Sequence, residues 1–98
     1  MAFKLRYHED ALADLEMLFD WSRDQHPGST ELFANDLFNH LDLLPVFPYI
    51  GVVVESEPSV RRLLHSPLHV YYRVDEARGA VEILHFWHAS RQPPSFLK

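Results

Sequence analysis

The chain opens on a period of two. Across AFKLRY, residues 2–7, Phe3, Leu5 and Tyr7 alternate with Lys4 and Arg6, which predicts a short strand with one cationic face. From about His8 the spacing changes to three and four. Ala11, Leu12, Leu15, Leu18, Phe19 and Ser22 then describe one face of a helix. Glu9, Asp10 and Asp14 stand near its start and Arg23 and His26 near its end, as the helix dipole favours. Pro27 and Gly28 predict its stop by His26. Ser29 is placed to cap a second helix. The stripe of that helix is Phe33, Leu37, Leu41 and Leu44, and Pro45 and Pro48 are expected to end it. A connection this short predicts an antiparallel helical hairpin.

The period of two returns in the second half. Residues 45–59 are punctuated by Pro and Gly around a Val52–Val54 run and fit either a loop or an edge strand. Strands are predicted over Val60–His65, Leu68–Val74 and Ala80–Trp87. The DEARG segment, residues 75–79, reads as a hairpin turn, and one register sets Arg73 opposite Glu82. Pro93 and Pro94 keep the tail from extending the sheet by much. The predicted fold is α+β: an N-terminal strand, an antiparallel two-helix hairpin, and a mainly antiparallel sheet completed by three C-terminal strands.

Ninety-eight residues suffice for a single domain, 1–98, and the apolar share of 47% argues against disorder. With no cysteine there is neither a disulfide framework nor a thiolate metal site. The start lacks an uninterrupted apolar h-region, so no signal peptide is expected, and no stretch is long enough for a membrane span. A cytoplasmic protein without membrane partners is the expectation.

The formal charge of −5 argues against general, direct DNA binding, which needs clustered cations. The charge is unevenly placed, however. Most acids precede Val60, whereas Arg61, Arg62, Arg73, Arg78, Arg91 and Lys98 follow it, against only Asp75, Glu76 and Glu82. Seven histidines raise the question of a metal, but no spacing matches a zinc signature. His85 and His88 are three apart on a strand and tend to opposite faces; His65 and His69 straddle Pro67. Neither metal nor cofactor is expected. Arg61 and Arg62 are candidates for pairing with first-helix acids, and Arg73 for pairing with Glu82. His88 and Arg91 suit recognition of an acidic or phosphate group. Among Phe86, Trp87 and Phe96, at least two are expected in the core. The stripes Leu12, Leu15, Phe19 and Phe33, Leu37, Leu41 are assigned to the core as well.

The motifs together resemble the RelE/ParE toxin superfamily. In YHEDALADLE the positions Ala11, Asp14 and Leu15 are similar to its first-helix signature. LDLLPVFPYIG, residues 41–51, resembles its second-helix exit. Residues 60–93 carry an arginine-led strand, YYRV, EIL and a closing H-x-x-R that resemble the ParE branch.

Members are toxins of two-gene modules. The resemblance implies a type II toxin neutralised by a cognate, ParD-like antitoxin. In the ParE branch the target is DNA gyrase and no active site is carried. The RelE branch instead cleaves messenger RNA on the ribosome; here its basic positions would be Arg61, His69 and Arg91. Its late tyrosine position is occupied by Phe96, which has no proton to give, and acids stand where lysines are expected. These departures favour the ParE branch. The residues expected to contact the target are His88, Ser90, Arg91 and Gln92. Leu18, Trp21, Leu32 and Phe38 are expected to line an outer groove for an amphipathic segment of the antitoxin. The alternatives are a RelE-type endoribonuclease and a non-toxic remnant that keeps only the partner.

Overall fold

A computed structural model describes residues 2–91. The elements run β1 (Lys4–Tyr7), α1 (Glu9–Gln25), α2 (Thr30–Leu41), β2 (Val52–Val54), β3 (Glu57–His65), β4 (Leu68–Asp75) and β5 (Ala80–His88). The five strands form one sheet in the order β1-β5-β4-β3-β2. β1 runs parallel to β5, and every other pairing is antiparallel. The parallel pair is possible because both helices intervene between Tyr7 and the last three strands, supplying the long crossover that such a pair needs. The expected α+β architecture is therefore present. The Val52–Val54 run, open from sequence, is an edge strand, and β3 begins three residues before Val60.

The core lies between the helices and one face of the sheet. Ala11, Leu15, Leu37, Leu41 and Leu44 meet Leu63, Val70, Tyr72, Val81, Ile83 and Phe86 there. The expected first-helix face is buried at Ala11 and Leu15, with Leu18 and Phe19 packed against the core, but Leu12 departs from it. Ala11 is fully buried while Leu12 is 52% exposed, because a small residue lets the helix approach β5 closely and turns its neighbour to solvent. A smaller cluster sits on the opposite face, where Val60 and Tyr71 are covered by Val54, Leu84 and Trp87. Of the three late aromatics, Phe86 is core and Trp87 is half-buried on the outer face; Phe96 lies outside the described residues.

Local chemistry sets the helix ends. His8 caps α1, its Nδ1 accepting from the Asp10 amide at 3.2 Å. Ser29 holds the first cap position of α2 but makes no capping bond; its hydroxyl donates to the His26 carbonyl instead. The first residue of α2, Thr30, is buried and hydrogen-bonded to Ser22 at 2.8 Å, which ties the helices together where a cap would have faced solvent. α2 stops at Leu41 rather than Leu44. Helical geometry is disfavoured immediately before Pro45, and the Leu43 and Leu44 amides turn to carbonyls three residues back. Leu44 is nonetheless fully buried.

Asp14 locks the first layer to the second. The last β1 pair is Tyr7 with Ile83, so the Phe86 amide of β5 lies beyond the reach of β1. Asp14 accepts from that amide at 3.1 Å and contacts His85 Nδ1 at 2.9 Å through the same carboxylate oxygen. An acid on the apolar face of a helix thus closes the ladder that β1 leaves open.

Candidate partner-binding groove

At the turn end of the helical hairpin, around His26 and Ser29, lies a groove of about 810 Å³. Leu18, Trp21 and Ser22 of α1 and Leu32, Phe33 and Asp36 of α2 form one wall; Pro67, Leu68, His88, Ser90 and Arg91 form the other. Trp21 and Leu32 are 60% and 68% exposed, so large apolar surface stands in water here. Three of the four residues expected to bind an antitoxin, Leu18, Trp21 and Leu32, line it. Phe38 does not: its ring packs edge-on against Phe19 at 6.4 Å. The groove also takes in His88, Ser90 and Arg91, which the sequence offered as a separate target-binding set. Gln92 lies outside the described residues.

The polar wall is ordered by its own contacts. His88 Nδ1 accepts from the Ser90 amide at 3.2 Å and lies 2.7 Å from its hydroxyl. The Arg91 guanidinium lies 4.2 Å from the centre of the Trp87 ring, a cation–π contact that leaves its donors available. Behind Phe33, the His65 ring stands edge-on at 5.6 Å, and its Nδ1 is 2.8 Å from that of His40. One ring donates and the other accepts. Burial first, and then the His40 charge, hold His65 below the usual histidine range, with Asp36 opposing.

Strand parity separates the residues that an RNA-cutting site would need. On β3, Arg61 pairs with Tyr72 and faces the helices; Arg62 pairs with Tyr71 and faces outward. His69 pairs with Leu64 and Trp87, also outward. Arg61 and His69 are therefore on opposite faces of the sheet. Neither arginine is among the ion pairs of the described residues with first-helix acids; Arg61 instead donates to the Gly51 carbonyl at 2.9 Å and the Tyr49 carbonyl at 3.3 Å, over the Tyr49 ring. Arg73 does pair with Glu82, at 3.3 Å. Arg62, expected as a partner for first-helix acids, is instead the arginine of β3 that shares the outer face with His69. With burial, its charge holds His69 below the usual histidine range. Alternation along β3 carried that signal, since residue 61 and residue 69 could share a face only if the hairpin register were one residue different. Among the described residues no group of three or more His, Asp or Glu is placed to hold a metal ion. Among the described residues no helix is long and apolar enough to cross a membrane.

Comparison with known proteins places this geometry. The family model for the ParE toxin of the parDE type II toxin–antitoxin system matches residues 5–93. No curated protein sequence matches. Solved structures share the fold at 20% identity. The chromosomal ParDE system from Pseudomonas aeruginosa aligns over 91% of this chain and 98% of its own, with a TM-score of 0.77. The RelBE2 toxin–antitoxin complex from Mycobacterium tuberculosis aligns over 90% and 99%, with a TM-score of 0.65. The isolated Escherichia coli RelE toxin aligns over 93% and 88%, also at 0.65. The match over nearly the whole chain shows that this protein belongs to the ParE toxin family of type II toxin–antitoxin systems.

Proposed function

We propose that the chain is a ParE-type toxin acting in the cytoplasm, that it inhibits DNA gyrase by binding rather than by chemistry, and that a ParD-like antitoxin neutralises it through the groove. The observation that carries this reading is the continuity of the groove. Its apolar wall of Leu18, Trp21 and Leu32 faces the polar wall of His88, Ser90 and Arg91. An amphipathic segment laid on the first covers the second, so one partner removes the target-contact rim from use. The separation of Arg61 from His69 argues against the RelE-type set as the sequence suggests it.

The test is a pair of variants. Trp21→Asp is expected to weaken antitoxin binding by about 2 kcal/mol, roughly thirtyfold, while purified toxin still blocks supercoiling. Arg91→Glu should retain the antitoxin and lose the block. Unimpaired supercoiling with the wild-type chain sinks the gyrase reading, and normal growth on induction without antitoxin points to a non-toxic remnant.

One observation favours the RelE-type alternative. Arg62, His69 and Tyr71 share the outer face with Trp87, over which Arg91 lies, and a lowered His69 is a competent base near neutrality. Transcript cleavage on induction that is lost in His69→Ala and in Arg62→Ala, and kept in Arg61→Met, would move the assignment there.

A further inference from the structure

Beyond the C-terminus of α2, the chain runs from Leu43 to Val54 without a charged residue, LLPVFPYIGVVV, and ends as the outermost strand of the sheet. Seven large side chains in this strip, among them Val46, Phe47, Ile50, Val52 and Val53, are 41% exposed or more. Among the described residues no strand covers the far edge of β2. Natural sheets usually protect such an edge with lysine, proline or an inward charge. Here the edge residues are three valines, and the nearest acids, Asp42 and Glu55, bound the strip from outside it.

We propose that this strip is a two-fold interface with a second copy of the chain, formed by antiparallel pairing of the two β2 edges about Val53. Three arguments select a second copy over another occupant. The first is charge. With Val53 on the two-fold axis, Val52 faces Val54 of the other copy, and Glu55 faces Gly51, so each acid meets an uncharged residue and none meets its own like. The second is area. The seven side chains expose on the order of 600 Å², at the upper end of the largest patch a monomer usually shows. Pairing the two edges covers part of this on each face, because Val52, opposite Arg62, and Val53, opposite Arg61, lie on different faces of the sheet. The third is geometry. An antiparallel edge pair satisfies the outward amides and carbonyls of both strands and joins two five-stranded sheets into one. The groove is left clear, because Leu32, Phe33 and Asp36 lie on the first half of α2 whereas the strip begins after its end. Two copies can therefore each hold an antitoxin.

The symmetry supplies its own test. Because Val53 faces its own mate, Val53→Lys sets two like charges against each other, and so does Val53→Glu. The full chain, made in a cell-free system, is followed by sedimentation equilibrium and light scattering across a concentration series. The wild type is expected as a dimer. Either variant alone is expected to dimerise at least about tenfold more weakly with an unchanged circular dichroism spectrum. An equimolar mixture of the two variants is expected to recover the dimer, which misfolding could not produce. Phe47→Lys, away from the strand, should weaken the dimer without rescue by Val53→Glu. A wild type that stays monomeric throughout overturns the proposal. So does a dimer that both Val53 variants leave intact, or a strip that becomes protected from amide exchange only when antitoxin is added.

Discussion

The two faces of the sheet are made from the same residue types and do different things with them. Arg61 and Arg62 are adjacent in sequence. Arg61 turns toward the helices and spends its guanidinium on the Gly51 and Tyr49 carbonyls. Arg62 turns outward beside His69 and Tyr71. Tyr72 and Tyr71 repeat the contrast. The Tyr72 hydroxyl accepts from the Gly51 amide and donates to the Pro48 carbonyl, both at 2.8 Å, and burial pushes its ionisation upward. Tyr71 is equally buried but roofs the small outer cluster. The inner face holds the α2–β2 connection in place; the outer face presents cations and rings that are only partly covered. A polar side chain on this sheet is thus structural or available for binding according to one residue of register.

Truncation of neighbours should break the symmetry most visibly. Leu63 is 8% exposed and packs in the main core; Leu64, beside it, is 57% exposed. Leu63→Ala is expected to cost about 2–4 kcal/mol in chemical denaturation, by lost burial and the cavity left behind. Leu64→Ala should stay within about 0.5 kcal/mol. Similar losses at both positions would mean that the outer face is covered in the folded protein.

The inner polar network should give the next effect. A Cβ at Gly51 would stand 2.6 Å from the Tyr72 hydroxyl, 2.7 Å from its ring and 3.0 Å from the Arg62 carbonyl. The ring cannot retreat into a packed core, so Gly51→Ala is expected to destabilise by about 1–3 kcal/mol. Arg61→Met removes the clamp on the same turn while keeping the stem, for about 1–2 kcal/mol. Arg62→Met should be near neutral in thermal unfolding. Equal losses from the two arginines would erase the division of labour between the two faces.

Most of the architecture was legible because each element has its own period: two for β1, three and four for the helices, two again for β4 and β5. The Arg73–Glu82 pair followed from the hairpin count alone. What escaped had physical causes. The α2 terminus is set by the turn before Pro45, where Leu44 stays buried without being helical, so an apolar stripe overruns the helix. The placement of Leu12 depended on Ala11, which contributes little to a hydrophobic pattern yet decides how closely α1 approaches. Asp14 read as an acid near a positive helix end, but its task depends on where β1 stops relative to β5. The groove was half legible. Its apolar residues stood out as too many for one stripe, whereas their meeting with His88, Ser90 and Arg91 depends on the β3–β4 turn, which sequence periodicity does not place. Arg61 and Arg62 were indistinguishable until the register chose between them.

The smallest expected effect tests the two faces through protons. His65 faces the helices and His69 faces outward, and both are held below the ordinary value of 6.5. Burial is the leading cause for each; His40 adds to it on the inner face and Arg62 on the outer. Lowered values mean that the unfolded chain takes up protons more readily than the folded one as pH drops below 6.5. The stability these two imidazoles allow is therefore complete above pH 6.5 and declines as pH falls from there toward their folded-state values. Thermal unfolding followed from pH 7.5 down to about 5.5 should show a falling Tm before most carboxylates begin to titrate. Removing a cause should flatten the slope on one face only. His40→Gln takes away the facing charge while leaving a hydrogen-bonding side chain for His65, and Arg62→Gln does the same for His69. Their combination should flatten the profile by the sum of the two, because the residues lie on opposite sides of the sheet and share no partner. A slope that neither variant alters would assign the acid sensitivity to other groups, and the two histidines would cease to distinguish the faces.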